Sequence, residues 1–433
     1  MKVSVAQHQP TAAHRRPLSR PNVSLWDLAG LALHAGPLFM RQCLTFDEAT
    51  KKQCETDISR CVRRVFWGEG EGEGGNGPLQ LECPAIKRFS VLDERQMGEA
   101  MGYLRQEGYC VIGDVMDAAM LERCREGVWD WLESTNQNLT RHDPSTWDDI
   151  GWLGDLATGA IHSMAVGHSE VMWAVRTHHL TQKAFQSVWG VEGGELLTSF
   201  DGLGLYRPWH REGAGHWKTK GGWWHIDQDA RKKPGFECVQ GFVSLYASDA
   251  TTGGLCVIPR SHNHHRHLSQ RAGAIGLLTG DFLPIPPSDP LIRSVANGNP
   301  SSSSLLDDSL PRPLPPRLVS CQAGDLVLWD SRTVHCNTPA LKEPTSPTDR
   351  LLRAVAYVCM TAKSRATPQV LAQRRRAVAE GTTLTHWPHE YHVAAISDLP
   401  QHQRFMRKRR KAAAGGVTQD AVERPEERAS LIG

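Results

Sequence analysis

The sequence lacks several features that would assign it to a specialised class of protein. No apolar run approaches the ~20 residues that a membrane-spanning helix needs. Its charge is nearly balanced, with 49 Lys and Arg against 47 Asp and Glu, so overall charge does not favour a polyanionic partner. We therefore expect neither a membrane nor a nucleic acid as partner. The oligomeric state is left open.

The 11 cysteines match neither a disulfide framework nor a zinc-ribbon motif. Their number is odd, they are scattered from Cys43 to Cys359, and no two form a CxxC pair. This usage favours a reducing, intracellular compartment, and we expect the cytoplasm. Residues 1–26 are basic, so a mitochondrial presequence is an alternative. The basic run at residues 407–411 makes a nuclear localisation signal a further alternative.

Segments of biased composition divide the chain. Residues 68–78 read GEGEGEGGNGP, which cannot form a packed element, so residues 1–89 are predicted to be an N-terminal extension that contains this linker. Residues 90–400 are predicted to form the main domain, followed by a basic and polar tail at 401–433. Within the domain, residues 284–316 are rich in Pro, Ser, Asn and Asp, which predicts a surface insertion. We expect this insertion and both termini to be mobile.

The hydrophobic pattern changes character along the main domain. Residues 92–107 place apolar side chains on one helical face, residues 109–112 are typical of a strand, and a second amphipathic helix follows the candidate N-cap Asp117. From Leu196 onward, short apolar runs are bounded by Gly, Pro and Asp. This pattern predicts a mainly β (α+β) fold, a sandwich, jelly roll or barrel with flanking helices.

The segment GWWHIDQD at residues 222–229 contains an imidazole and a carboxylate two positions apart. On a strand, residues i and i+2 point to the same face, so His225 and Asp227 could bind one metal ion together. The motif is weak by itself, because about one His-x-Asp is expected by chance in a chain of this composition. Taken alone, it is explained as simply by two exposed polar side chains.

A second segment favours the metal site. Residues 324–335 contain a glycine turn and an apolar strand that lead to His335, a candidate third ligand from a different strand. Two imidazoles and one carboxylate on one face of an iron ion leave the other positions open for a chelating co-substrate and dioxygen. The candidate metal-binding and catalytic residues are therefore His225, Asp227 and His335.

Two polar residues in apolar runs are candidates for binding a co-substrate. Arg353 opens the apolar run 353–360, and a guanidinium is costly to bury unless it meets an anion, for which a dicarboxylate is a suitable planar partner. Gln240 lies in the apolar run 238–242, where a contact to the co-substrate and an outward-facing position explain it equally well. Residues 385–389 are expected to fold over the barrel and are assigned no chemistry.

The ordered combination of these segments resembles the phytanoyl-CoA dioxygenase family. After the first helix come EGYCVI at residues 107–112, the pair His225-x-Asp227, GGLCVIPRSH at residues 253–262, the segment ending at His335, and Arg353. The resemblance covers about residues 90–400. The combination is far more specific than any single piece of it.

The resemblance implies a double-stranded β-helix, also called a jelly roll or cupin-like barrel. It implies non-haem Fe(II) bound by His225, Asp227 and His335, and 2-oxoglutarate with its distal carboxylate on Arg353. Fe(II), 2-oxoglutarate and dioxygen are thus the expected cofactor and co-substrates, with ascorbate as a further candidate. The implied reaction hydroxylates a small organic substrate and releases succinate and CO2.

The sequence departs from the usual family pattern in two intervals. The interval between Asp227 and His335 is longer than the family generally uses, and the insertion at 284–316 explains it. The interval between His335 and Arg353 is also long, because it contains the loop 339–349. This loop leaves Arg350 as an alternative anchor, but Arg353 is preferred because it immediately precedes the apolar strand.

Two other classes of function use parts of the same residue set. A zinc-type metal hydrolase would use the two His and one carboxylate to activate water, but it has no need of a buried Arg353. A non-catalytic β-barrel binding protein predicts a missing ligand, whereas all three candidates are present. A halogenase of related type is disfavoured because such enzymes lose the carboxylate that Asp227 provides. The substrate, including any CoA thioester, cannot be identified from the sequence.

Overall fold

The computed structural model describes residues 81–149, 151–272, 281–296, 306–394 and 425–433, together with 405 and 407. Most of the predicted N-terminal extension, the middle of the predicted insertion and most of the predicted tail lie outside the described residues, and their expected mobility stays a prediction. Within the described ranges, the helices are all too short or too polar to span a bilayer.

The α-helices of the described residues, in chain order, are α1 (Glu94–Glu107), α2 (Ala118–Thr135), α3 (Glu170–Thr177), α4 (His179–Trp189), α5 (His265–Arg271), α6 (Pro290–Ala296), α7 (Pro368–Glu380) and α8 (Pro425–Ile432). The strands are β1 (Arg88–Ser90), β2 (Tyr109–Gly113), β3 (Ala160–Ile161), β4 (Leu196–Thr198), β5 (Leu203–Tyr206), β6 (His225–Ile226), β7 (Val239–Ser244), β8 (Gly254–Val257), β9 (Leu283–Pro284), β10 (Arg317–Leu318), β11 (Leu326–Asp330), β12 (His335–Thr338), β13 (Arg353–Tyr357) and β14 (Met360–Ala362).

The first two helices begin and end where the sequence provides capping residues. The side chain of Asp93 accepts hydrogen bonds from the first backbone N–H groups of α1, and Gly108 ends the helix in the left-handed conformation, with φ of 85°. Asp117 accepts a hydrogen bond from the backbone N–H of Met120 at the start of α2. The predicted helix, strand and N-cap in this region are confirmed.

Most of the strands belong to two sheets. A seven-stranded sheet has the order β1-β2-β11-β7-β13-β5-β3, and a five-stranded sheet has the order β10-β8-β12-β6-β9. Strands β5, β7, β11 and β13 belong to the first sheet, whereas β6, β8, β10 and β12 belong to the second, so the chain winds back and forth between them. This winding is the double-stranded β-helix topology, and the predicted fold is confirmed.

The large sheet is buried on both of its faces. In β2, Tyr109 and Val111 pack in the core between the two sheets, beside Leu255 of the small sheet. Cys110 and Ile112, which alternate with them, belong to the core formed with the helices. Burial on both sides explains why these strands are apolar throughout rather than alternating, as β2 shows with all five residues buried.

Part of the predicted insertion belongs to the core of the small sheet. Strand β9 pairs with β6, which places Leu283 opposite Ile226. Helix α6 buries Leu291, Ile292 and Val295 in the same apolar cluster. The sequence analysis missed these few apolar positions because the segment around them is polar on average. They pack beneath the strand that contains His225.

Arg374 in α7 joins three separate segments of the chain through main-chain carbonyl groups. Its guanidinium is buried and donates hydrogen bonds to the carbonyl oxygens of Thr198, Pro388, Leu431 and Ile432, at 2.7 to 3.1 Å. These acceptors lie in β4, in the loop after α7 and in α8. The side chain therefore attaches the C-terminal helix to the body of the domain.

Replacing Arg374 with Met is expected to destabilise the protein by at least about 2 kcal/mol, because a buried carbonyl left without a donor costs about 1–3 kcal/mol. Urea unfolding measures this change, and limited proteolysis is expected to cut at α8 first. Arg376→Met is the matched control, because Arg376 is exposed on the same helix and forms a surface ion pair with Glu380. Equal stability of the two variants would contradict this role of Arg374.

Candidate active site

Strand pairing brings the two candidate histidine ligands together. Strand β12 runs antiparallel to β6, and His335 lies directly opposite His225. Directly opposed residues on antiparallel strands place their side chains on the same face, and the two ring centroids are 4.2 Å apart. Asp227 follows His225 by two positions, and the backbone N–H of Asp227 donates to the carbonyl oxygen of Ser331, just before β12.

The three candidate ligands form a compact group. One carboxylate oxygen of Asp227, Oδ2, lies 3.5 Å from Nε2 of His225 and 3.3 Å from Nε2 of His335. The candidate ligand atoms all lie within 4.8 Å of one another. The three residues are buried, with 4% to 8% of their surface exposed, so bulk water competes little for an ion bound there.

Backbone carbonyl groups orient both imidazoles. Nδ1 of His225 lies 3.1 Å from the carbonyl oxygen of Trp223, and Nδ1 of His335 lies 2.9 Å from that of Thr333. A carbonyl only accepts, so each Nδ1 carries a proton, and in the neutral imidazole Nε2, which faces Asp227, is the nitrogen with the free lone pair. This is the tautomer that binds a metal through Nε2.

Electrostatics favour the protonation states that metal binding requires. Burial favours the neutral form of Asp227, but the charge of His225 and the hydrogen bonds that both imidazoles donate when they are protonated outweigh it and hold the pKa of this carboxyl well below its ordinary value. Burial, together with the neighbouring His225, lowers the pKa of His335. Near neutral pH the site therefore contains a carboxylate and a neutral His335.

Gln240 and two aromatic rings hold the ligands in place. The side-chain amide of Gln240, on β7, donates a hydrogen bond of 2.8 Å to Oδ2 of Asp227. The ring of His225 is stacked between Trp223, at 4.9 Å, and Phe282, at 4.6 Å between centroids. Phe282 was missed from the sequence, because it approaches from a separate segment with no motif of its own.

The surroundings of Arg353 are suited to binding an anion. It is 2% exposed, lies over the ring of Tyr206 at 3.7 Å and donates a hydrogen bond of 2.8 Å to Oδ1 of Asn337. Among the described residues, its Nε has no hydrogen-bond partner and no carboxylate forms an ion pair with it. Arg350 is exposed on the surface and lies over Tyr246 at 5.2 Å.

One cavity connects these groups. It has a volume of about 320 Å³, and its lining includes the three candidate ligands together with Gln240 and Arg353. Arg350 is not part of the lining. Aromatic side chains form much of the apolar wall, namely those of Trp223, Phe242 and Trp329. Such a mainly apolar cavity with a few converging polar groups is typical of a small-molecule site.

The donor set fits a divalent iron ion. Two imidazole nitrogens and one carboxylate oxygen on one side leave the remaining coordination positions open, which is the arrangement of non-haem iron oxygenases. Zinc also accepts these ligands. The unpartnered Nε of Arg353 and the absence of a carboxylate beside it, within the described part of the chain, fit a co-substrate that carries a carboxylate.

A second group of possible ligands is explained by an ion pair. Asp281, Glu390 and His392 also place ligand atoms within 4.8 Å of one another. The ammonium group of Lys233 lies between two of them, 2.5 Å from Asp281 and 2.8 Å from Glu390. A lysine in this position neutralises part of the carboxylate charge and repels a cation.

Comparison with known proteins identifies the family. The family model for phytanoyl-CoA dioxygenase (PhyH) matches residues 104–339, more than half of the chain. A curated relative, Ava biosynthesis cluster protein O from Aspergillus versicolor, is 24% identical over 298 residues, which are 68% of this chain and 87% of the relative.

Similar solved structures include EctD from S. alaskensis with 2-oxoglutarate and 5-hydroxyectoine, which is 15% identical with a TM-score of 0.38 over 68% of this chain and 86% of that chain. The carbocyclase SnoK from nogalamycin biosynthesis is 16% identical with a TM-score of 0.35, over 60% of this chain and 83% of that chain. These scores are low, and the assignment rests on the family match. The chain belongs to the phytanoyl-CoA dioxygenase family and is a non-haem iron, 2-oxoglutarate-dependent oxygenase.

Proposed function

We propose that the protein hydroxylates a C–H bond of a small organic substrate, consumes dioxygen and 2-oxoglutarate, and releases succinate and CO2. One observation carries this proposal. One cavity is lined by the buried metal-ligand candidates His225, Asp227 and His335 and also by Arg353. This arginine is buried and has no carboxylate partner among the described residues. A metal hydrolase needs only the first of these features, and a binding barrel needs neither.

His225, Asp227 and His335 would hold the Fe(II), which supplies the redox chemistry that couples oxidation of the co-substrate to oxidation of the substrate. The carbonyl groups behind the two imidazoles keep each Nε2 available as a ligand. Gln240 fixes the carboxylate of Asp227 through its hydrogen bond. The predicted contact of Gln240 with the co-substrate stays a prediction, and its bond to Asp227 supports a role in positioning the metal.

Arg353 would bind the distal carboxylate of 2-oxoglutarate. Its guanidinium is held over Tyr206 and oriented by Asn337, so little side-chain freedom is lost when a carboxylate arrives. The surrounding wall is apolar, and a charge-assisted hydrogen bond is stronger there than in water. A need for ascorbate stays a prediction.

The relative from Aspergillus versicolor is named as a protein of a biosynthesis cluster, which supports a small-molecule substrate for this chain as well. The volume of the cavity agrees with such a substrate, because about 320 Å³ is near the lower end of the range for ligand pockets. The co-substrate must occupy part of this space. The reacting portion of the substrate must therefore be small.

Gln240→Leu is expected to weaken iron binding by about 10- to 100-fold, because the residues that orient metal ligands contribute that much to affinity. Competition with a colorimetric iron chelator under anaerobic conditions measures the change. Gln186→Leu is the control, because Gln186 lies on α4, away from the cavity. Unchanged affinity in Gln240→Leu would remove the proposed positioning role.

The test of the proposed function is succinate release by the purified protein. Oxygenases of this type turn over slowly without substrate, so the Fe(II)-loaded protein is expected to convert 2-oxoglutarate to succinate only when oxygen is present. The Zn(II)-loaded protein is expected to release none, because zinc has no redox cycle. A failure of the Fe(II)-loaded protein to release succinate in the presence of oxygen would overturn the proposal, and hydrolysis of an added ester by the Zn(II)-loaded protein would favour a hydrolase instead.

A further inference from the structure

The cavity has a polar region that the proposed chemistry does not use. His162, which follows β3, and His386, in the loop after α7, both line it, as do Asp201 and Thr385. This loop folds back on itself through a bridge between Leu384 and Val393. The sequence predicted that residues 385–389 fold over the barrel but assigned them no chemistry.

Several polar atoms in this region lack partners. Nδ1 of His162, Nε2 of His386 and Oγ1 of Thr385 are buried and have no hydrogen-bond partner among the described residues. Buried polar side chains are normally hydrogen-bonded, so unpaired groups deserve an explanation. All three residues line the cavity, so a molecule bound there is placed to supply partners that the described residues do not.

The charges around this region restrict the molecule. Burial lowers the pKa of both His162 and His386, although Asp201 opposes the shift at His162, and Asp227 and Asp201 oppose it at His386. Neutral imidazoles offer one donor and one acceptor each. Asp201 is a buried carboxylate that accepts a hydrogen bond of 2.7 Å from Ser199. Among the described residues of the lining, Arg353 is the one permanently charged cation.

An anionic substrate group would therefore lack a partner inside the cavity. Arg353 is assigned to the co-substrate, and the buried guanidinium of Arg176 is already paired with Asp201 and does not line the cavity. The described part of the lining therefore offers no second cation to the phosphate groups of a CoA ester. An uncharged molecule with hydrogen-bonding groups brings no unpaired charge into the cavity, so it avoids the free-energy cost of burying one.

We propose that His162 and His386 form the substrate subsite and hydrogen-bond a hydroxyl or carbonyl group of an uncharged, partly apolar substrate. The inference rests on the proposed function, because it takes the metal and the co-substrate to fill the other part of the cavity. The apolar part of the substrate contacts the remaining walls, and the polar contacts orient it towards the metal.

The test uses protein loaded with Zn(II) and 2-oxoglutarate, which does not react with oxygen, and two probes of the same shape. Phenol carries a hydroxyl group where toluene carries a methyl group. Phenol is expected to bind about fivefold more tightly, the effect of one net hydrogen bond, measured by ligand-observed NMR titration. Benzoate is expected to bind more weakly than phenol.

His162→Phe and His386→Phe are each expected to abolish the preference for phenol, and His386→Asn is expected to retain part of it. His264→Phe is the control, because His264 is also buried but lies outside the cavity and its Nε2 is bonded to the carbonyl oxygen of Pro311. A preference that is unchanged in both cavity variants would overturn the subsite. So would equal binding of the two probes by the unmodified protein.

A second measurement does not depend on whether the variants fold. The imidazole nitrogen resonances of His162 and His386 in the unmodified protein are expected to shift with phenol and not with toluene. No shift with either probe would overturn the subsite. Binding of 2-oxoglutarate is measured first. If 2-oxoglutarate binds but phenol and toluene bind equally tightly, only the proposed subsite is wrong. If 2-oxoglutarate does not bind, the proposed function itself is contradicted.

Discussion

Replacing Asp227 with Ala is expected to abolish iron binding and succinate release while the fold remains intact. Asp227 supplies the only negative charge of the candidate triad, and both imidazoles point an Nε2 atom at its carboxylate. Residues that merely orient metal ligands contribute 10- to 100-fold to affinity, so loss of a ligand is expected to exceed ~100-fold. Iron content after desalting and succinate release measure the two effects.

The fold is expected to survive this change because the triad lies on a cavity rather than in the main core. Within the described part of the chain, the Asp227 carboxylate contacts the two imidazoles and Gln240 rather than residues of the main core. Thermal unfolding monitored by circular dichroism checks this expectation. The matched control is Glu390→Gln, which alters the second carboxylate group beside Lys233 and is expected to leave iron content unchanged. If Asp227→Ala retained iron and Glu390→Gln lost it, the metal site would be assigned to Asp281, Glu390 and His392 instead.

Replacing Arg353 with Met is expected to weaken 2-oxoglutarate binding by at least about tenfold while iron binding survives. A hydrogen bond to a charged partner contributes about 1.5–3 kcal/mol, and 1.4 kcal/mol corresponds to a factor of ten. Arg353→Lys is expected to restore only part of the affinity, because an ammonium group cannot reproduce the planar guanidinium. Anaerobic titration of the Fe(II)-loaded protein, followed through its charge-transfer absorption, measures the affinity.

Arg350→Met is the control for this experiment. Arg350 is only three positions away, but it is exposed, contacts Tyr246 and does not line the cavity. Its replacement is expected to leave the affinity unchanged. If Arg350→Met lost affinity while Arg353→Met kept it, the anchor would be assigned to the wrong arginine.

The features that could be predicted from the sequence are those encoded within single strands. The alternation of side chains along a strand relates His225 to Asp227, and the apolar run before His335 predicts a third ligand from a different strand. The structure then pairs these two strands at the histidines themselves. Arg353 was likewise singled out because a charged residue opens an apolar run.

The remaining features depend on contacts between distant segments. Phe282, His162 and His386 come from loops without a recognisable motif, and they reach the cavity only because the chain folds around it. Helix α6 was not predicted, because it lies in a segment whose average composition is polar. The sequence favoured Arg353 over Arg350 by position alone, and the burial of Arg353 and the exposure of Arg350 support that preference.

The central claim is that one iron ion and one 2-oxoglutarate molecule occupy this cavity together. A crystal structure of the anaerobic Fe(II) and 2-oxoglutarate complex, with anomalous scattering recorded at the iron edge, tests it most directly. The predicted result is one iron peak bound by Nε2 of His225, Nε2 of His335 and a carboxylate oxygen of Asp227, with the distal carboxylate of 2-oxoglutarate on Arg353. Iron bound at Asp281, Glu390 and His392, or 2-oxoglutarate bound away from Arg353, would contradict it.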